Sequence, residues 1–249
     1  MKYRKYIYVK LLFLFVMAKG DLNAQHTSGN LTLQFENRVG DRLVNFDSIY
    51  ENNLGEQLSI TKFRYYISNI EIADSVTGKC YRWNNLYFLV DENKPDSKTI
   101  SLKLPTGRYN KISFLLGVDS LKNVSGIQSG ALDPLNDMFW TWKSGYVMAK
   151  LEGRSPSSTL QHHLFEYHIG GFSGIYNVTG SVILSLPSEI KIVHSKESRI
   201  VISADIDKWF SAIHRLSISE HPACTVTGQL AKQFSENYLQ MFTIQSVAP

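Results

Sequence analysis

The chain has 249 residues, with 26 Lys and Arg against 22 Asp and Glu, and 43% of it is hydrophobic. Five of the basic residues and one of the acidic ones fall in the first 24 positions, which leaves 21 of each sign in the remainder. A chain so balanced beyond its leader has no electrostatic basis for binding nucleic acid or an anionic membrane surface.

Residues 1–24 read as a secretory signal peptide. Lys2, Arg4, Lys5 and Lys10 surround an apolar segment, Leu11 to Ala18 is uninterrupted, and Leu22-Asn23-Ala24 offers cleavage before Gln25. The apolar run is too short for a membrane span, which needs about 20 residues, and no comparable segment follows. The first cysteine is Cys80, so nothing near the cleavage point carries a lipid anchor. Residues 25–249 contain no repeat and no long Pro, Gly or Ser linker, and are expected to form one domain.

Segments rich in β-branched and aromatic residues then recur between turn residues. They are Leu31 to Phe35, Phe63 to Ile72, Tyr81 to Val90, Thr99 to Leu104, Lys111 to Val118, Tyr146 to Leu151, Leu164 to Ile169, Ser181 to Leu186, Glu189 to Val193 and Arg199 to Ala204. Such spacing, with little helix between, predicts an all-β fold, an antiparallel β-sandwich. The polar stretch Asp91 to Ser97, with Pro95, reads as a loop. Asp205 to Phe210 reads as a helical turn. A short C-terminal helix is expected where Thr227 stands as cap before Leu230, Phe234, Tyr238 and Met241, whose spacing is that of packing against a sheet.

Two stretches carry candidate chemistry. Met138-Phe139-Trp140-Thr141-Trp142-Lys143-Ser144-Gly145-Tyr146 places two of the four tryptophans at i and i+2, which in an extended strand puts both indoles on one face. The pair serves either as core filling or as part of a site. In Gln161 to Gly171, period two puts His162, Leu164, Glu166 and His168 on one face and His163, Phe165, Tyr167 and Ile169 on the other. His162 and His168 are then about 20 Å apart and cannot share an ion. His168, just before Ile169-Gly170-Gly171, is the better candidate for a copper or zinc ligand, while His162 and His163 are expected to face solvent.

Other motifs are absent or weak. There is no H-E-x-x-H, nucleophile elbow, P-loop or dinucleotide fingerprint. Asp133 and Asp137 flank a turn rather than a spaced calcium loop. Sequons stand at Asn30, Asn123 and Asn177. Cys80 and Cys224 form a disulfide, remain two buried thiols, or supply one soft metal ligand, and the sequence leaves these open.

Several segments taken in order resemble the MbnP-like copper-binding family of exported β-sandwich proteins. They are Phe63 to Ile70, Leu116-Gly117-Val118-Asp119, Ala131-Leu132-Asp133-Pro134, Met138 to Tyr146, Leu151-Glu152-Gly153, Phe165 to Gly170 and Asn237 to Phe242. The resemblance implies a copper site with His168 as imidazole ligand. It also implies that Trp140 and Trp142, its W-x-W pair, are targets for oxidation to kynurenine by a di-haem peroxidase of the MauG type. Many members carry one cysteine soon after the first strand and another after the His-x-Gly turn. Here those regions read Arg42-Leu43-Val44 and Phe172-Ser173-Gly174, so that disulfide is not available.

The reading is therefore an exported, periplasmic or secreted copper-binding protein for scavenging, storage or delivery, and not an enzyme. One rival is a cell-surface or carbohydrate-binding module with Trp140, Trp142 and Tyr146 as an aromatic platform. The other is a hydrolase using Asp119, Glu152 or Glu166, for which no constellation is evident.

Overall fold

The structure, a computed structural model, describes residues 27–141 and 144–248. The leader 1–24 and Trp142 lie outside the described residues. Among those described, strands run in chain order as β1 (Ser28–Val39), β2 (Arg42–Leu43), β3 (Ile49–Glu51), β4 (Gln57–Asp74), β5 (Cys80–Asp91), β6 (Thr99–Pro105) and β7 (Gly107–Leu116). They continue as β8 (Phe139–Thr141), β9 (Gly145–Arg154), β10 (Leu164–Gly170), β11 (Gly180–Ile192), β12 (Glu197–Asp205), β13 (Ala223–Cys224) and β14 (Phe242–Ala248). Two short helices accompany them, α1 (Ser120–Asn123) and α2 (Gln229–Tyr238). None is long and apolar enough to cross a membrane.

The sandwich with a short C-terminal helix is borne out. One sheet orders its strands β14-β12-β1-β2 with β6 also on β1; the other runs β11-β7-β4-β9-β10-β13 with β3 and β5 also on β4. The expectation of purely antiparallel pairing needs amendment, because β1 runs parallel to β12 and β10 runs parallel to β13. Glu189 to Val193 is not a separate strand either, since β11 continues through an irregularity between Ser185 and Ile190.

Alternation along the strands sets the core. In β1, Leu31, Leu33 and Phe35 face inward, and Ile200, Ile202 and Ala204 of β12 join them. Between the sheets, Phe35 meets Tyr65 at 6.2 Å and Phe114 at 6.1 Å, while Phe114 meets Phe242 at 5.1 Å, all edge-on. Edge-on rings suit the aromatic quadrupole, and each buried Phe contributes about 1.5–3 kcal/mol relative to exposure. A second aromatic group forms where α2 packs: Trp209 lies 5.0 Å from Tyr238 and 6.0 Å from Phe63, and Tyr167 lies 4.4 Å from Phe234.

The C-terminal helix carries the expected apolar face, with Phe234 and Tyr238 buried. Thr227 does not cap it; Gly228 occupies that position without a side-chain bond. The turn read at Asp205 to Phe210 is a 3-10 turn at Ile206–Trp209, where the Asp205 carboxylate accepts from Asp207 N. Cys80 and Cys224 are both free, so no disulfide joins them.

β4 organises the larger sheet. Its Ser59 to Tyr65 segment pairs with β9, and its Ile67 to Asp74 segment pairs with β7 along the same edge. A seam therefore opens beside Tyr66, where β7 departs and β9 enters. β10 and β11 lie outside β9 and β7, so the segments joining β7 to β9 and β10 to β11 both bridge that seam.

One buried carboxylate fastens its own turn to a loop far along the chain. Glu56, 8% exposed, accepts from Asn52 Nδ2 at 3.0 Å, Ile218 N at 2.9 Å and Ser219 N at 2.9 Å. Burial pushes its pKa upward, but the bonds from Asn52, Ile218 and Ser219 outweigh this and hold it below the ordinary glutamate value. A depressed folded pKa gives stability present above the unfolded value and lost as pH falls through the folded one. Glu56→Gln is thus expected to lose about 1–3 kcal/mol in urea unfolding at neutral pH, with the difference from the parent shrinking in acid.

Candidate functional site

The outer face of the larger sheet, beside the seam, is polar. Pairing puts Arg64 opposite Lys150 and Lys62 opposite Glu152 across β4 and β9, and His168 opposite Lys150 across β9 and β10. Their side chains share a face because Phe63, Tyr65, Phe165, Tyr167 and Ile169, the alternate residues, are buried inward. The alternation expected over Leu164 to Ile169 is therefore observed. It does not extend to His162 and His163. Both lie in a turn with left-handed backbone, φ 58° and 55°, and both are exposed.

His168 is part-buried, and its Nε2 lies 2.8 Å from Glu152 Oε1. That bond, with support from Lys62 and against the effect of burial, lowers the Glu152 pKa. An ionised carboxylate only accepts, so Nε2 must carry the hydrogen. In the neutral ring the lone pair then sits on Nδ1, which has no hydrogen-bond partner among the described residues. A carboxylate holding one imidazole nitrogen while the other stays free is the arrangement that orients metal-binding histidines.

A polar network continues from Glu152 to the chain that leads into the tryptophan stretch. Lys62 Nζ lies 3.2 Å from Glu152 Oε2 and 3.1 Å from Asp137 Oδ2, and Lys150 Nζ lies 2.9 Å from the same Asp137 atom. Burial would raise the Asp137 pKa, but its bonds to Lys150 and Lys62 hold it low. Arg64 Nη1 donates to Asn136 O at 2.9 Å, and Arg64 Nε is 3.0 Å from the buried Asp91 carboxylate. Asp133 caps its own turn by accepting from Leu135 N. Both aspartates are thus occupied by the turn and by lysines.

Asn123, buried at the end of α1, is a second anchor. Its Oδ1 accepts from Tyr146 N at 2.9 Å and its Nδ2 donates to Val118 O at 2.8 Å. Gly145 must be glycine here: its φ is +73°, and a Cβ would come within 2.3 Å of that Oδ1 and 2.8 Å of the Phe172 ring. The sequon at Asn123 is consequently consumed by the fold.

Between these anchors lies the tryptophan hairpin. β8 pairs Phe139 with Tyr146 and Thr141 with Gly145, leaving Trp140 as the extra residue of a bulge. The expected regular strand with both indoles on one face is therefore interrupted at Trp140; Trp142 lies outside the described residues. Trp140 is partly buried, and its six-membered ring lies over Gly170, where a Cβ would come within 2.6 Å of Cζ3. The Trp140 ring thereby lies over a residue two positions along β10 from His168.

The sequence model of MbnP matches residues 28–226. The chain belongs to the MbnP family. Among solved structures, MbnP from Methylosinus trichosporium resembles it with TM-score 0.56 at 13% identity, over 82% of this chain and 83% of that one. At that identity the likeness shows a shared fold. A comparison with curated proteins finds no significant match.

Within this MbnP-family fold, no group of three or more His, Cys, Asp and Glu side chains among the described residues is placed to hold a metal ion. The described residues fit a copper ion only in part, through one oriented imidazole with a free nitrogen. Lys62 and Asn123 are residues that sequence reading did not assign to the site, and Glu152 was named only for the rival hydrolase and within a resembling segment, not as the partner of His168. Their signal was faint: Lys62 and Glu152 fall on the polar side of alternating strands, and Asn123 looks like any loop asparagine.

The contact between ring and backbone is testable. Gly170→Ala is expected to cost about 1–3 kcal/mol by overpacking. In a double-mutant cycle with Trp140→Ala most of that loss should disappear, as an interaction energy of about 0.5–3 kcal/mol; independent, additive losses would place the ring elsewhere.

Proposed function

We propose that the protein is an exported copper-binding protein, acting in scavenging, storage or delivery rather than catalysis. The observation that carries this reading is the His168 imidazole, held at Nε2 by Glu152 and with no partner for Nδ1 among the described residues, two residues from the glycine on which the Trp140 ring lies. Membership of the MbnP family supports it. Bound copper would take the imidazole nitrogen as a borderline donor.

One imidazole is too few donors, which gives the W-x-W pair its part. Oxidation by a partner of the MauG di-haem peroxidase type would break the indole C2=C3 double bond and place one oxygen on each carbon, a four-electron oxidation that consumes two hydrogen peroxide molecules and releases two waters. Hydrolysis then releases formate and leaves kynurenine, whose aryl amine and ketone are donors that indole lacks. Trp140, whose ring lies over Gly170, would be one target and Trp142 the second. The partly buried Trp140, packed on Gly170, speaks against an open aromatic platform for sugars.

Protein purified from its native host should carry stoichiometric copper. His168→Ala should lose that copper while keeping the parent's circular dichroism, and peptide mass spectrometry across Trp140 and Trp142 should find the kynurenine product. Absence of copper under both reducing and oxidising conditions would reject the reading; copper bound beside unmodified tryptophans would reject only the oxidation.

A further inference from the structure

The imidazole and the tryptophan hairpin sit on different parts of the chain, and Lys62 reaches the supports of both at close range. Lys62 Nζ on β4 lies 3.2 Å from Glu152 Oε2, whose partner oxygen Oε1 holds His168 at 2.8 Å. The same Nζ lies 3.1 Å from Oδ2 of Asp137, three residues before Trp140. Asp137 has left-handed backbone, φ 58°, which any residue but glycine adopts at some strain. Lys150, its side chain 4% exposed, also bonds the Asp137 side chain and main-chain oxygen.

We propose that Lys62 is a positioning residue of the metal site, fixing the His168 ring through Glu152 and the approach of the Trp140 hairpin through Asp137. The metal consequence rests on the copper reading; the effect on the ring does not. Glu152 without Lys62 would keep one firm partner, His168 itself, apart from Lys150 at 4.0 Å from Oε1. Its carboxylate would be free to turn, and the imidazole would turn with it. The hold on the ring is independent of copper: it sets which nitrogen carries the hydrogen and how firmly.

The test uses the full mature chain, labelled with nitrogen-15 at histidine and free of metal. Long-range proton–nitrogen spectra of the parent should show His168 as the Nε2–H tautomer with slow exchange of that proton. Lys62→Met should give mixed tautomers and faster exchange, and Lys62→Arg should restore the parent pattern because the charge is kept. Titration with copper should then show affinity falling about 10–100-fold in Lys62→Met, the range seen when support of a ligating imidazole is removed.

Asp137→Asn takes the counter-charge from the covered Lys150, so it is compared only after its circular dichroism is shown to match the parent's; it should weaken copper binding while leaving the His168 tautomer as in the parent. If Lys62→Met changes neither tautomer nor affinity, the proposal is overturned although the copper reading stands. If the parent binds no copper but Lys62→Met still alters the tautomer, the copper reading fails and the hold on His168 stands. Unchanged affinity in Asp137→Asn removes the link to the hairpin.

Discussion

Two strands share one edge of β4, and most of the site's geometry follows from that. β9 and β7 cannot both continue past Tyr66, so the backbone groups at the seam need other partners. Gly117 N donates to Tyr66 O at 2.9 Å, and Ser68 Oγ donates to Gly117 O at 2.8 Å. Unpaired buried backbone would carry a penalty comparable to a lost hydrogen bond. The chain leaving β7 must therefore turn sharply at Gly117, whose φ of +118° is accessible to glycine. The excursion it begins returns as the tryptophan hairpin and re-enters the sheet as β9.

That excursion covers the outer face near the seam, which explains why residues there are buried although they point away from the sandwich interior. Tyr66 and Tyr146, 5.8 Å apart, donate their hydroxyls to Ala131 O and Leu132 O. Each phenol thereby satisfies a loop carbonyl while its ring fills the space beneath. Lys150 is covered in the same way. Breaking a covered ion pair at one partner leaves a charge uncompensated and is typically strongly destabilising, whereas its net worth when intact is small. The network is better understood as fixing one arrangement of loop over sheet than as a store of stability.

What could be read from the sequence followed physical range. Period-two alternation revealed the strands because each residue's facing depends only on its neighbours, as Phe165, Tyr167 and Ile169 show. His162 and His163 broke the pattern because the left-handed turn before Leu164 is set by contacts elsewhere: Arg154 Nη1 donates to His162 O, and Ser155 N to His163 O. The Trp140 bulge was hidden for the same reason, being required by how β8 meets β9. His168 stood out through its place before a glycine turn. Glu152 and Lys62 did not, since their meeting depends on register between strands, which alternation alone leaves open.

The bulge and the glycine turn depend on each other more closely than on the sheet. The Trp140 ring can approach β10 so closely only because Gly170 has no side chain, and the hairpin can close only because Gly145 leaves room for Asn123 and Phe172. Phe172 ties the turn after β10 to the hairpin by packing its ring against Gly145, and Cys80 and Cys224 are both free, so no disulfide secures that turn. A disulfide acts in large part on the unfolded chain, whereas a ring against a glycine acts only when the fold has formed. Local opening of this region would therefore release Phe172, the Trp140 ring and the His168 turn together, with no cross-link to retain any of them. The placement of imidazole and indole is thus a property of the closed hairpin, not of the sandwich alone.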